Sequence, residues 1–213
     1  MRVNVLGNGD YAGLFKRGTY GKLLVCNMPP IELPPEEVYG SCMVDFKMMA
    51  ALQEGAVDLG QYDWILGNRP RRWMEQSPAF YLKYSQNIKG FWTHVPPYAQ
   101  LPGHTLAQAA TNYSCGHMAV DYACRKMLAT EVHLYGFDSL FDLNLSSCTD
   151  KYLHSNRSDL NTHRLATNWR PIWAGLFKEF SDVSFIVHHR HDKIKIPRIK
   201  NGNVTVEVGI LEE

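Results

Sequence analysis

Short hydrophobic runs recur along the chain, and several of them end at a glycine or an asparagine. The first run, Val3–Leu6, is followed by Gly7-Asn8-Gly9-Asp10, and the second, Leu23–Cys26, is followed by Asn27. Further runs are Cys42–Phe46, Tyr62–Leu66, Glu131–Tyr135 and Val183–Val187. Continuous apolar runs of this length are typical of strands that are buried on both faces of a parallel sheet.

Between these runs, apolar residues recur at helical spacing. Met118, Ala119, Tyr122, Ala123 and Met127 predict a helix over 116–128. Helices are also expected over 11–17, 47–53, 105–110 and 164–180, with Pro171 marking a first turn or a kink in the last one. Alternating strands and helices predict an α/β, Rossmann-like fold with a mostly parallel sheet and helices on both faces.

The segment 69–103 differs from the rest, because it is rich in aromatic residues and broken by prolines. We interpret it as an irregular, partly helical lid or side lobe. The length of 213 residues suits one Rossmann-like domain over 1–213, and residues 202–209 read as a β-like tail.

Composition excludes several classes of function. The net charge of +1 gives no electrostatic argument for binding nucleic acid. No apolar run reaches the length of a membrane span, and the first residues lack a signal pattern, so a cytoplasmic location is expected. Five cysteines without C-x-x-C spacing are expected to be free thiols. Whether the chain forms a homo-oligomer stays open.

The ends of four predicted strands carry small or amide residues. These residues are Gly7, Asn8, Gly9, Asp10, Asn27, Gly67, Asn68, Gly136 and Asp138. Open parallel sheets bind ligands at this edge, where glycine permits close approach and amides hydrogen-bond sugars and bases. The dinucleotide fingerprint is absent, because its third glycine is missing and Asn27 stands where an acidic residue would end the second strand.

Ser114-Cys115-Gly116 begins the best-defined predicted helix. Ser114 can cap the helix, and backbone N–H groups of its first turn can hold a phosphate. An ordinary N-cap without a ligand is the alternative.

Taken in order, these motifs resemble those of the bacterial sialyltransferases of glycosyltransferase family 42. The resemblance is remote and covers roughly residues 3 to 190. It implies a Rossmann-like domain with a lid, a CMP-sialic acid donor, no metal or other cofactor, and a histidine base. By similarity, Gly7, Asn8 and Gly9 would lie near the nucleotide phosphate and sugar. Asn27 and Asn68 would face the donor, Ser114–Gly116 would hold phosphate or cytidine, and Asp138 would border the cytidine.

The chain departs from the family pattern at two places. The family has Thr-Ser-Gly where this chain has Ser114-Cys115-Gly116. Tyrosines that steady the leaving phosphate are expected soon after Asp138, but Leu140, Phe141 and Leu145 stand there and Tyr152 is the nearest candidate.

His163 and His154 are the two candidates for the catalytic base, because an imidazole titrates near neutral pH and can accept a proton from an acceptor hydroxyl. His163 fits the family spacing better. Arg157 and Arg164 could neutralise the donor phosphate or an acidic sugar. The expected function is transfer of a sugar from a CMP-linked donor to a glycan or another hydroxyl acceptor. A catalytically inactive nucleotide- or glycan-binding module is the alternative, and a different nucleotide-dependent transferase or hydrolase is a third option.

The run His188-His189-Arg190-His191-Asp192 has the composition of a metal site. Because neighbouring residues of a strand point to opposite faces, His189 and His191 could share one ion but His188 could not. With no further ligand in view, the sequence favours a basic rim, continued by Lys193 and Lys195, and no metal site is expected.

Overall fold

A single parallel sheet organises the molecule. In the computed structural model, which describes residues 1–143, 163–196 and 202–212, eight strands pair in parallel throughout. They are β1 Arg2–Leu6, β2 Lys22–Cys26, β3 Gly40–Met43, β4 Trp64–Leu66, β5 Ile88–Phe91, β6 Glu131–Tyr135, β7 Ser184–His189 and β8 Val204–Val208. The predicted α/β, Rossmann-like fold is therefore confirmed.

The strand order is β5-β4-β3-β2-β1-β6-β7-β8. The chain builds the sheet outwards from β1 in one direction and then returns to the other side of β1 to add β6. The order therefore reverses between β1 and β6. In open parallel sheets, the crevice beyond the carboxyl ends of the strands at such a reversal is the usual place for a ligand.

Helices cover both faces of this sheet, as predicted. They are α1 Phe46–Glu54, α2 Asn68–Gln76, α3 Pro78–Tyr84, α4 Leu106–Asn112, α5 Cys115–Arg125 and α6 Arg170–Glu179. Successive strand residues point to opposite faces, so Val5 packs in the core beneath α5 and α6 while Leu6 packs in the core beneath α1. Among the described residues, no helix is long and apolar enough to cross a bilayer.

The segment 69–103, expected to be irregular and partly helical, is more regular than predicted. It contains most of α2, all of α3 and the edge strand β5, which pairs with β4. Its prolines do not break these elements, because Pro70 and Pro78 lie in the first turns of α2 and α3, where a missing N–H costs no helical hydrogen bond. The segment is thus partly an extension of the sheet and its helical layer.

Several other boundaries differ from the sequence prediction, and two of them have a clear local cause. The strand expected over Cys42–Phe46 ends at Met43, because Asp45 is the N-cap of α1 and Phe46 is its first residue. The helix expected over Arg164–Phe180 is π-helical over Leu165–Trp169, and α6 begins with Pro171 in its first turn.

Candidate functional site

Asn8 links the carboxyl ends of the two central strands β1 and β2. Its Nδ2 donates hydrogen bonds to the carbonyl oxygens of Cys26 at 2.8 Å and Met28 at 3.1 Å. The side chain is half-buried, so the amide that the sequence assigned to ligand binding also fixes the turn after β2.

Asn27 lies where β2, β3 and α5 converge. Its backbone N–H donates to the carbonyl oxygen of Cys42 at 2.9 Å, and the Cys115 thiol donates to the same oxygen at 2.6 Å. Asn27 has a φ of 60°, and its buried Oδ1 has no hydrogen-bond partner among the described residues. A left-handed asparagine with an unsatisfied acceptor is a typical feature of a functional position.

The N-terminus of α5 is closed by a capping box. The Ser114 hydroxyl accepts a hydrogen bond from the His117 backbone N–H, and the Ser114 N–H donates to His117 Nδ1 at 3.0 Å. His117 is completely buried, and this burial lowers its pKa to about 3. The neutral ring is therefore part of the cap. The N–H groups of Cys115 and Gly116 lie in the first turn of the helix, where backbone N–H groups have no acceptor within the helix.

Two arginines lie close to this helix terminus. Arg69, in the first turn of α2, donates to the carbonyl oxygen of Val44 at 2.9 Å and pairs with Asp45 at 3.1 Å. Arg164 donates to Asn112 Oδ1 at 2.9 Å, two residues before the cap of α5. Burial and then the nearby charge of Arg69 lower the pKa of Arg164. Two neighbouring guanidinium groups with one carboxylate leave a local positive charge that suits an anion.

Gly7 and Gly9 lie at the switch point, where they contact the loop after β6. A Cβ at Gly7 would lie 2.6 Å from the Gly136 carbonyl oxygen, and a Cβ at Gly9 would lie 2.6 Å from the Asp138 carboxyl group. The Gly9 N–H also donates to the Gly136 carbonyl oxygen at 3.0 Å. The structure therefore explains these glycines by the close packing of two protein loops. The sequence analysis had inferred the close approach of a ligand instead.

Asp138 is buried beside this glycine turn, and Asp10 is exposed at its far end. Desolvation raises the pKa of Asp138 to about 6, although a hydrogen bond from the Tyr11 N–H acts in the opposite direction. Its Oδ1 has no hydrogen-bond partner among the described residues and lies 3.9 Å from His189 Nδ1. Asp138 thus faces β7, away from the Asn27 cluster.

The remaining predicted residues are divided between the site and the rest of the chain. Asn68 is the half-buried first residue of α2, next to Arg69. His163 is exposed one residue before Arg164, whose contact with Asn112 brings this segment towards the start of α5. Tyr152, His154 and Arg157 lie outside the described residues.

Sequence reasoning missed three arrangements. Arg69 was not singled out, although an arginine just after a strand end is a simple signal for an anion site. His133 and His188 form a buried pair, with Nδ1 and Nε2 2.8 Å apart, on neighbouring strands. Asp121 in α5 is fully buried and receives hydrogen bonds from Trp92, Tyr98 and Arg125. No local sequence pattern indicates the His133–His188 pair or the cluster around Asp121.

A surface pocket of about 450 Å³ lies at the opposite, amino-terminal edge of the sheet. Its lining includes Lys22, Glu37, Tyr39 and Lys89 and none of the predicted site residues. It is spatially separate from the carboxyl-edge cluster.

Comparison with known proteins finds no similar protein. No protein-family model, curated protein or solved structure is significantly similar to the chain. Any assignment of function must therefore depend on the site itself and on the motif resemblance.

Proposed function

We propose that this chain is a glycosyltransferase that moves a sugar from a nucleotide donor, most simply a CMP-linked one, to a hydroxyl acceptor such as a glycan. One observation carries the proposal: Asn27 and Cys115 share the Cys42 carbonyl oxygen. This contact joins the end of β2 to the N-terminus of α5. Amide side chains and a helix N-terminus, the two kinds of group that bind sugar and phosphate, are thereby combined at one sheet edge.

The electrostatics of this edge favour an anionic ligand. The helix N-terminus contributes partial positive charge and the N–H groups of Cys115 and Gly116. Arg69 and Arg164 contribute two guanidinium groups near the same point. A nucleotide phosphate is the group this arrangement suits, and Asn8 and Asn27 lie where ribose or sugar hydroxyls would follow.

The proposed reaction is a direct displacement. His163 accepts the proton of the acceptor hydroxyl, the freed oxygen attacks the anomeric carbon, and the bond from that carbon to the phosphate oxygen breaks. CMP leaves with the electron pair, and the arginines and helix N–H groups stabilise the charge that develops on its phosphate. His154 is the alternative base.

A nucleotide- or glycan-binding module without catalysis is the second candidate, and a specific observation favours it. The Ser114 hydroxyl is held in the capping box, and the Cys115 thiol donates to a backbone carbonyl. Both side chains that replace the Thr-Ser pair of family 42 are therefore bound within the protein. A chain that has kept the pocket but lost a phosphate-binding hydroxyl would bind the donor without turning it over.

Thermal unfolding of the full chain with CMP, UDP and GDP tests nucleotide binding. We expect CMP to raise the melting temperature more than UDP or GDP, since a ligand at 100 times its dissociation constant stabilises the folded state by about 2.7 kcal/mol. Arg69→Gln is expected to abolish most of the shift. Arg72→Gln, the same change at an exposed position of the same helix, is the matched control and should preserve it. No shift with any nucleotide would refute the proposed site.

Incubation with CMP-sialic acid separates the two candidate functions. Release of CMP, with or without an added glycan acceptor, supports the transferase. Stabilisation by CMP without any CMP release from the donor supports the binding module.

A further inference from the structure

His189, the last residue of β7, is a buried imidazole whose ring nitrogens form no hydrogen bond within the described part of the chain. The residue is 1% exposed, and neither ring nitrogen has a hydrogen-bond partner among the described residues. Phe141 stacks on the ring at 3.8 Å between centroids, and Tyr11 contacts it edge-on at 4.5 Å. Buried polar groups are nearly always satisfied, so two unpaired nitrogens on one ring require an explanation.

Two further potential ligands face this ring. Asp142 Oδ2, in the loop after β6, lies 3.6 Å from His189 Nε2 and 3.9 Å from His191 Nε2. The three ligand atoms lie within 4.8 Å of one another. A tetrahedral zinc site with bonds of about 2.0–2.1 Å separates its ligand atoms by roughly 3.3 Å. The existing arrangement therefore needs a contraction of up to about 1.5 Å between ligand atoms, which the partly exposed positions of Asp142 and His191 allow.

A metal-binding histidine usually donates the N–H of its other ring nitrogen to a carboxylate or carbonyl oxygen, and Asp138 is placed for this role beside His189. Its Oδ1 lies 3.9 Å from His189 Nδ1, and this oxygen also lacks a hydrogen-bond partner among the described residues. A carboxylate that accepts the Nδ1–H of a histidine fixes the tautomer in which Nε2 is free to bind a metal. Once an ion is bound at Nε2, the Nδ1–H of His189 can donate to Asp138 Oδ1, and both groups then have a partner.

We propose that His189, His191 and Asp142 bind a divalent transition-metal ion, such as Zn²⁺, and that Asp138 orients His189 for this purpose. Two imidazoles and one carboxylate are a common ligand set for zinc and related metals. Three protein ligands leave one coordination position for water or a ligand. Asp142 and His191 are each about one-third exposed, so an ion can enter from solvent.

Two existing contacts must change when the ion binds. Arg190 pairs with Asp142 Oδ2 at 3.1 Å and so occupies the same oxygen with a competing cation. The Lys193 backbone N–H donates to His191 Nδ1 at 3.2 Å, and metal binding through Nε2 moves the ring proton to Nδ1 and exchanges this bond for one to water. The Arg190 side chain is about half exposed, so it can turn into solvent.

The proposal departs from the expectation that the chain has no metal site. The sequence showed His189 and His191 but no third ligand, because Asp142 is distant in the chain and meets them only through the pairing of β6 with β7. His188 contacts His133 and stacks on Tyr135, away from the proposed ligands. This position agrees with the alternation of side chains along a strand.

Titration calorimetry of the tag-free, chelator-treated full chain with ZnCl₂ tests the proposal, in the absence of any nucleotide. We expect one saturable site per chain, weakened at least tenfold in Asp142→Asn and in His189→Gln. Asp192→Asn removes the same charge at an exposed position near His191 and should bind like the unsubstituted chain. Arg190→Gln, which removes the competing cation, should bind more tightly.

Co²⁺ serves as a spectroscopic probe of the same site. Its visible absorption is expected to show four-coordinate nitrogen and oxygen ligation and to be lost in Asp142→Asn, a variant at a partly exposed residue that does not depend on repacking the core. The absence of saturable zinc binding would overturn the proposal. Equal affinity of Asp142→Asn and Asp192→Asn would overturn it as well, because the ion would then be held elsewhere.

Discussion

The capping histidine of α5 makes the stability of the fold depend on pH. His117 is completely buried, and burial lowers its pKa to about 3. Its Nδ1 also accepts the Ser114 N–H, so a proton added at this nitrogen would displace that hydrogen bond of the cap. The folded state therefore binds the proton much more weakly than the unfolded chain, in which a histidine has a pKa near 6.5. The contribution of neutral His117 is complete above pH 6.5 and is lost progressively as the pH falls towards 3.

The size of this effect follows from the two pKa values. Between 6.5 and 3, each pH unit lowers the free energy of unfolding by about 1.4 kcal/mol, so the loss from pH 7.5 to 4.5 is roughly 2–3 kcal/mol. His117→Gln should remove this dependence, because glutamine does not ionise and is itself a usual capping-box residue at this helix position. The variant will be less stable at pH 7.5, since a smaller side chain leaves space in the core.

Urea unfolding, followed by tryptophan fluorescence at pH 7.5, 6.5, 5.5 and 4.5, measures the prediction. Burial also lowers the pKa of His188 and His189 and raises that of Asp138, so only the difference between variants isolates His117. His163→Gln, the same change at an exposed histidine, is the control and should follow the unsubstituted chain. If His117→Gln loses as much stability between pH 7.5 and 4.5 as the unsubstituted chain, the reasoning is refuted.

Three further predictions concern the fold and the proposed site. Gly116→Ala should destabilise the fold by about 1–2 kcal/mol in urea unfolding, because its Cβ would lie 2.5 Å from Phe137 Cε1 and overpacking outweighs the gain in helix propensity. Asp121→Ala should cost about 3 kcal/mol in the same assay, since it removes a fully buried carboxylate and leaves its partly buried donors Trp92 and Tyr98 without their acceptor. His163→Ala should abolish release of CMP from CMP-sialic acid while CMP still raises the melting temperature, and His154→Ala should retain turnover.

Each of these predictions has an outcome that contradicts it. An unchanged midpoint and slope for Gly116→Ala would show that the helix can shift away from Phe137 at little cost. A loss below 1 kcal/mol for Asp121→Ala would mean that water replaces the carboxylate. Turnover that survives His163→Ala but not His154→Ala would identify His154 as the base.

The sequence predicted the central part of the fold well, and the reason is local. The run Glu131–Tyr135 is strand β6 with the same bounds, and Val3–Leu6 lies within β1. Strands buried on both faces are mostly apolar, so their positions are visible in the pattern of residues alone. Helix α5 was visible from the periodicity of its apolar residues.

The segment 69–103 was less predictable because its structure depends on distant partners. Ile88-Lys89-Gly90-Phe91 has little strand character, and it becomes β5 by pairing with β4 at the edge of the sheet, with a shift in register between Trp64 and Ile65. Edge strands have one partner and a solvent-exposed face, so their sequences carry a weaker signal.

The sequence by itself determined which residues end the strands: Gly7, Asn8, Gly9, Asn27, Asn68 and Asp138. It could not determine which of these ends meet. The tertiary arrangement decided that Asn27 and Cys115 meet at the Cys42 carbonyl oxygen and that Gly9 packs on Asp138. The same arrangement placed Asp142 beside His189. Local composition indicates most of the central strands because it acts between neighbours in the chain, whereas a site of several strands exists only once long-range pairing has brought those strands together.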